Sequence, residues 1–337
     1  MVKAVISGYY GFKNFGDEAI LSVLTRHLKD LGVDITVFSS DPEFTSKTYG
    51  VNSVKSFDFK NVILSIKNSN VLISGGGSLL QDVTSLKSLV YYSLIIALGL
   101  LFNKKVIIFA QGIGPVNNKF ARFIVMNLLK QCSLVTVRDE ASLNLLNKCG
   151  VSAKLVCDPV YSLDIKRASN SNSVGVQLRN FKTMNNNLLN KLALFVTKNF
   201  IDRKIEIFSL QEALDLEVCK KFDDILHSIN PDIKTEIVTD DIINRISSLE
   251  YMIGMRFHAL LAAIKCGVKT CAINYDIKVE KLANDASIPM ISMDAHDNFD
   301  EIYSQLKNLK SEELLRFAKS KSFDWSDFDE LFLTAAK

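Results

Sequence analysis

Short β-rich apolar runs alternate with helical patterns along almost the whole of this chain, and that alternation narrows its fold more than any other feature. Val2–Ser7, Ile35–Phe38, Val71–Ser74, Val106–Ala110 and Leu134–Val137 read as strands. Glu18–Leu31, Leu86–Phe102, Ala121–Gln131 and Glu140–Lys148 carry apolar residues at helical spacing. The strand runs are too continuously apolar for half-exposed antiparallel strands; they fit parallel strands covered on both faces. Strand–helix alternation with short connections then argues for an α/β doubly wound sheet.

After Val156 the alternation breaks at Asp158-Pro159, and Lys166–Ser173 is polar and rich in serine and asparagine, as a linker would be. A second series follows, with strands over 174–178, 205–210, 235–238, 251–253 and 270–273. Helices over 188–199, 214–229, 242–249, 256–265 and 279–284 separate them. At 337 residues the chain also exceeds what one core usually serves. The expected architecture is two Rossmann-like α/β domains facing across a cleft. They comprise residues 1–165 and 172–320, with 321–337 as a terminal helix or tail. Ligands of such sheets bind outside the carboxyl ends of the strands.

Composition excludes several classes. With 48% apolar and 23% charged residues the chain can bury sizeable cores. A net charge of +3 gives no support to bulk electrostatic binding of nucleic acid. Six cysteines without a C-x-x-C pair read as reduced, buried thiols of a cytoplasmic protein. The start is a strand pattern without a signal-peptide core. Leu89–Phe102, a largely apolar run of 14 residues, is too short to span a bilayer. It reads as a core helix buried on most sides, or as a surface lying against a membrane or a lipid-linked substrate.

Several motifs fall at predicted strand ends. Gly8-Tyr-Tyr-Gly-Phe leads through Gly16 to Asp17, which either caps the next helix or points a carboxylate at a ligand. Gly75-Gly76-Gly77 lets a ligand approach the backbone; Ser78, Gln81 and Asp82 follow, Asp82 being either a local turn acceptor or an acid–base group. Gln111-Gly-Ile-Gly-Pro occupies another strand end, and Arg138 reads as locked to Asp139 or Asp158. In the second half Arg179, Arg256 and Lys278 all stand at strand ends, and His258 shares a glycine turn with Arg256. Guanidinium forks match carboxylate and phosphate oxygens two at a time. The ligand inferred from them carries at least two anionic groups. No His/Cys/Asp cluster has metal spacing.

Taken together these motifs resemble the polysaccharide pyruvyl transferase family, its CsaB-like bacterial members above all. The resemblance rests on Gly8–Phe12, Gly16-Asp-Glu-Ala-Ile-Leu, Gly75–Asp82 with Tyr91-Tyr92, Gln111–Pro115, Arg138-Asp139, Gly254-Met-Arg-Phe-His-Ala-Leu and Tyr275-Asp-Ile-Lys-Val. It implies a fold similar to the GT-B glycosyltransferases. It implies transfer of a pyruvyl group from phosphoenolpyruvate to a sugar, forming a cyclic ketal and releasing phosphate. The implied acceptor is β-linked N-acetylmannosamine in a lipid-linked cell-wall precursor. Phosphoenolpyruvate binding falls by motif match on Arg256, His258 and Lys278, with Arg179 in the place of the family's arginine at the first strand of the second domain. The chemistry would then use His258 as the proton donor and Asp17 or Asp82 as the acceptor from the sugar hydroxyl. Acceptor contacts are expected at Gly76, Gly77, Ser78 and Gln81. Phe257 and Ile277 stand where the family usually has leucine and proline.

No cofactor beyond the donor substrate and no metal is expected. The expected partners are the small-molecule donor and the saccharide acceptor, with no nucleic acid. A homo-oligomer and a peripheral location on the inner face of the membrane are both compatible with the sequence. The rival enzyme reading is a GT-B glycosyltransferase with a nucleotide-sugar donor, for which Glu280 would have to hold the ribose hydroxyls.

Overall fold

The computed structural model describes residues 1–83, 85–181 and 185–335. Its chain divides into two compact units, one made of 1–163 with 322–337 and the other of 164–321. In the first, β1 (Lys3–Ser7), β2 (Asp34–Ser39), β3 (Asn52–Lys55), β4 (Val71–Ser74), β5 (Lys105–Gln111), β6 (Leu134–Val137) and β7 (Lys154–Leu155) form one parallel sheet. Its order is β3-β2-β1-β4-β5-β6-β7. The helices are α1 (Phe15–Asp30), α2 (Pro42–Tyr49), α3 (Phe59–Asn68), α4 (Leu86–Leu101), α5 (Lys119–Leu129) and α6 (Glu140–Lys148).

The second unit repeats the plan with β8 (Ser173–Gln177), β9 (Lys204–Phe208), β10 (Thr235–Val238), β11 (Tyr251–Gly254), β12 (Lys269–Asn274) and β13 (Met290–Ser292). They run parallel in the order β10-β9-β8-β11-β12-β13. Its helices are α7 (Asn186–Phe200), α8 (Glu212–Ile229), α9 (Ile242–Ser248), α10 (Phe257–Lys265), α11 (Ile277–Ala286), α12 (Phe299–Asn308) and α13 (Ser311–Ser320). Each sheet therefore reverses its winding once, between β1 and β4 and between β8 and β11. Those switch points are where doubly wound sheets open a crevice for ligands.

Local chemistry sets the boundaries. Asn14, Asp58, Ser85, Asn118 and Asp139 each cap the following helix by accepting from a first-turn N–H. The central strands β4 and β11 are buried at every residue, as their unbroken apolar runs require. The helix α2, the strand β3 and the helix α3 lie in 42–68, which the periodicity left unassigned. Their side chains are mixed, and β3 is a partly exposed edge region with no fully buried residue.

The run 89–102 is a core helix buried on most sides, with Tyr91, Leu98, Leu100 and Phe102 also packed against the core, and it keeps one exposed stripe. Leu89, Tyr92, Ile95, Ile96 and Gly99 of α4 face the core, whereas Leu86, Val90, Leu94 and Leu101 are exposed. Among the described residues no helix is long and apolar enough to cross a membrane. The terminal segment takes the helical of its two expected forms. It forms α14 (Ser326–Ala335) and belongs to the first unit. Trp325 stacks on His27 with ring centroids 3.7 Å apart and lies 5.5 Å from the buried Phe109. Nε2 of His27 sits 2.6 Å from an Asp329 carboxylate oxygen, and Lys154 reaches both Asp324 and Asp327.

Candidate functional site

In the second unit the switch point carries the chemistry. β8 and β11 are adjacent, with Gln177 beside Gly254. Gln177 is fully buried and closes β8 after Val174, Gly175 and Val176. Its side-chain Oε1 accepts from the backbone N–H groups of Met255 (3.2 Å) and Arg256 (2.7 Å), and its Nε2 donates to the Leu178 carbonyl at 2.7 Å. One amide thus fixes the turn from β11 into α10. Arg256 occupies the position preceding α10, and no side chain caps that helix. The N-terminus of α10 therefore keeps first-turn donors and the positive end of its dipole at the mouth of the crevice.

The Arg256 side chain is held from a second direction. Its Nε and one terminal nitrogen donate to the two carboxylate oxygens of Asp215 at 2.9 and 2.8 Å. Asp215 has no exposed surface, and the Arg256 side chain is 13% exposed. The same carboxylate accepts from the Gln211 N–H at 3.2 Å. Two of the five guanidinium donors are spent on this pair, and three are not. Arg256 is therefore a positioned donor rather than the bare cation expected from sequence, because its charge is matched by a buried carboxylate.

Arg179 follows β8 on the next residue but one. Its N–H donates to the Met255 sulfur at 3.3 Å, and a guanidinium nitrogen donates to the Tyr275 hydroxyl at 3.3 Å. Its guanidinium also lies over the rings of Phe181 and Tyr275, at 5.9 and 5.7 Å from their centroids. The loops after β8, β11 and β12 are joined in this way. Lys278 follows the last of them in the first turn of α11, which Asp276 caps by accepting from the Lys278 N–H at 2.8 Å. That cap makes the turn without the family's proline, and Ile277 is exposed there. His258 is the second residue of α10, half-buried, its ring edge-on to Phe257 at 5.2 Å.

The equivalent switch point of the first unit is built on glycines. A Cβ on Gly75 would lie 1.9 Å from the Tyr10 hydroxyl, and one on Gly76 would lie 2.8 Å from Ile20. Gly77 has a φ of +93°, and a Cβ there would lie 2.5 Å from Oδ1 of Asp17. The Asp17 carboxylate thus rests on the Gly77 backbone; Asn14, not Asp17, caps α1. Burial, and then the charges of Asp17 and Glu18, push the Tyr10 phenol well above its ordinary range, so it remains an O–H donor. Glu18 is a brace, accepting from the Gly11 N–H at 2.8 Å and from the Tyr49 hydroxyl at 2.6 Å.

Ser78 is exposed, and Gln81 Oε1 accepts from the Val83 N–H at 2.8 Å. Asp82 differs from the acid–base reading. Its two oxygens accept from the Asn117 side chain (3.1 Å) and the Asn118 N–H (2.8 Å), tying the loop after β4 to the loop after β5. Donors from Asn117 and Asn118 hold its carboxyl below the usual range, which suits a brace better than a base. Arg138 is locked to Asp158 at 2.7 Å, while Asp139 caps α6.

The sequence reading missed Asp215, Gln177 and Tyr275. Asp215 did leave a signal. It shares one stripe of α8 with Cys219, Phe222 and Leu226, all without exposed surface, and a charge on such a stripe demands a buried partner.

Comparison with known proteins agrees with this geometry at the level of fold and family. The chain is similar to Anabaena Alr3699/HepE in complex with UDP-glucose, at 10% identity and a TM-score of 0.66, covering 100% of both chains. It is similar to UDP-GlcNAc 2-epimerase from Neisseria meningitidis bound to UDP-GlcNAc, at 10% identity and a TM-score of 0.64, covering 99% of this chain and 100% of that one. Acinetobacter baumannii MurG gives 12% identity and a TM-score of 0.55 over 99% of both. Such likeness shows a GT-B fold of two Rossmann-like domains. No curated protein matches by sequence. The family model for polysaccharide pyruvyl transferase matches residues 14–277, which contain the whole second switch point and the β4 side of the first, and the chain belongs to that family.

Proposed function

We propose that the protein transfers a pyruvyl group from phosphoenolpyruvate to two hydroxyls of a sugar, forming a cyclic ketal and releasing phosphate. The observation that carries this reading is Arg256, held by buried Asp215 and by Gln177 at the β8/β11 switch point beside an uncapped helix N-terminus. A compact ligand with a carboxylate and a phosphate suits that donor set. The Arg256 fork supplies paired hydrogen bonds, while Arg179 and Lys278 add positive charge.

In this mechanism His258 delivers a proton to the methylene carbon, C3, which becomes the methyl group. The cationic centre that develops at C2 is attacked by one sugar hydroxyl. Cleavage of the C2–O bond releases phosphate, with Lys278 and the α10 N–H groups offsetting its charge. The second hydroxyl then closes the ketal at C2. Each hydroxyl loses one proton, and in this reading Asp17 accepts from the acceptor sugar. Gly76, Gly77, Ser78 and Gln81 line the acceptor side on the first unit. The acceptor class is β-linked N-acetylmannosamine of a lipid-linked cell-wall precursor.

The test is phosphate release from phosphoenolpyruvate together with a pyruvate-sized mass gain on N-acetylmannosaminyl acceptors. His258→Ala and Arg256→Ala each lower release by at least about 10²-fold, the scale of a general acid–base group. Near-full activity in either folded variant removes the site assignment. A thermal shift with UDP or GDP but none with phosphoenolpyruvate would favour the nucleotide-sugar glycosyltransferase reading instead.

A further inference from the structure

On one face of the first sheet, α3, α4 and α5 share a single core, contributing Val62 and Ile66, Leu89 and Ile95, and Val125 and Met126. Their opposite faces are unusual. Leu86, Val90, Leu94 and Leu101 of α4 recur at helical spacing and are all exposed, Leu101 by 72%. On α5 Phe120 is 74% and Phe123 68% exposed, and on α3 Phe59, Ile63 and Leu64 are exposed as well. A soluble surface rarely leaves so many large apolar side chains together.

The charge pattern says what covers them. Residues 59–138 hold nine Lys or Arg and one acidic residue, Asp82, although the whole chain is only +3. The helices α3, α4 and α5 contain no Asp or Glu at all. Lys60, Lys87 and Lys119 are exposed on them, one per helix. Aromatic and aliphatic side chains interleaved with lysines, with acids excluded, match the boundary of an anionic bilayer, where acyl chains take the apolar groups and headgroup phosphates the cations. Among the described residues no helix is long and apolar enough to cross. The layer would lie on the bilayer and not span it.

We propose that this face of the first unit docks on an anionic lipid bilayer. Its position gives the docking a use. Leu86 opens α4 just after the Gly75–Asp82 loop, and Phe120 stands in the first turn of α5, after the loop that Asp82 ties down. The apolar surface therefore begins beside the loops proposed to hold the acceptor, where the lipid end of a lipid-linked sugar would lie. The docking itself does not rest on that reading of the acceptor.

Sedimentation of the full chain with vesicles tests it. Vesicles containing phosphatidylglycerol pull down at least about tenfold more protein than phosphatidylcholine alone, and ~0.5 M salt weakens the binding. F120S/F123S and, separately, K60E/K87E/K119E each reduce binding by about tenfold or more, with the melting temperature and phosphate release on a soluble acceptor unchanged. Failure of the pyruvyl transfer reading would leave these vesicle results as they are. No binding to the anionic vesicles, equal binding to both kinds, or unchanged binding by F120S/F123S overturns the proposal. So does a wild-type dimer that F120S/F123S splits, since the face would then belong to a second copy.

Discussion

Replacing Asp215 by asparagine tests whether the buried pair organises the second switch point. Asp215 has no exposed surface and Arg256 little. Removing one partner of a buried pair costs about 3–5 kcal/mol, because the other charge stays buried. Asparagine keeps one acceptor oxygen, which places the cost near the lower end. For a unit the size of 164–321, each kcal/mol shifts the melting temperature by about 2–4 °C, so a fall of about 6–12 °C is expected. A guanidinium released from its fork and displaced by about 1 Å lowers the rate by about 10²-fold. D215L/R256M separates the two effects. Replacing both partners by apolar groups of similar volume restores most of the melting temperature, yet phosphate release stays lost. Calorimetry and a phosphate assay on wild type, D215L, R256M and the double complete the cycle. A D215N protein that melts within about 2 °C of wild type and keeps full activity refutes the reasoning, as does a double variant no more stable than D215N.

Three other outcomes follow from the first unit. Gly77→Ala places a methyl group against Oδ1 of Asp17 at an unfavourable φ, so stability falls by about 1–3 kcal/mol and transfer slows, read by thermal melting and by phosphate release. Phe328→Ala empties a site between Trp325 and Phe332 and costs about 3–5 kcal/mol. Mapped proteolysis of that variant then cuts first within 1–163, and first cuts within 164–321 would contradict the assignment of α14. Burial lifts the Glu18 carboxyl above its ordinary 4.5, against hydrogen bonds from Tyr49, Gly11 and Lys13. The folded chain then keeps a proton the unfolded chain has lost, so stability falls as pH rises from the ordinary value through the raised one. The melting temperature of Glu18→Gln relative to wild type therefore climbs as pH rises from 4.5 through the raised value, and a flat difference is evidence against the shift.

The fold was legible because parallel strands buried on both faces leave unbroken apolar runs, as in Val71–Ser74 and Tyr251–Ile253. Segment 42–68 was not legible, because β3 has no fully buried residue and its pattern therefore has no period to detect. At the site, strand-end position picked out Arg179, Arg256 and Lys278, because chain order alone puts the residue after a strand at the sheet's carboxyl edge. It could not reveal that Asp215, 41 residues upstream, matches the charge of Arg256. Long-range pairing leaves only an indirect trace, a polar residue out of place in an apolar register. Asp215 and Gln177 both leave that trace. Asp82 shows the opposite case, a carboxylate in a motif whose bonds go to a neighbouring loop.

The return of α14 to the first unit has a consequence for synthesis. The chain leaves that unit after Leu163 and re-enters it at Ser322. Translation at about 5–20 residues per second takes roughly 8–30 s to cross the stretch between. Throughout that interval Phe109 waits at the ribosome without Phe323, Trp325 and Phe328, the rings that finally cover it. The half of the protein made second is therefore the half whose segments are all available first, and nascent-chain chaperones would be needed longest by the half that emerges earliest.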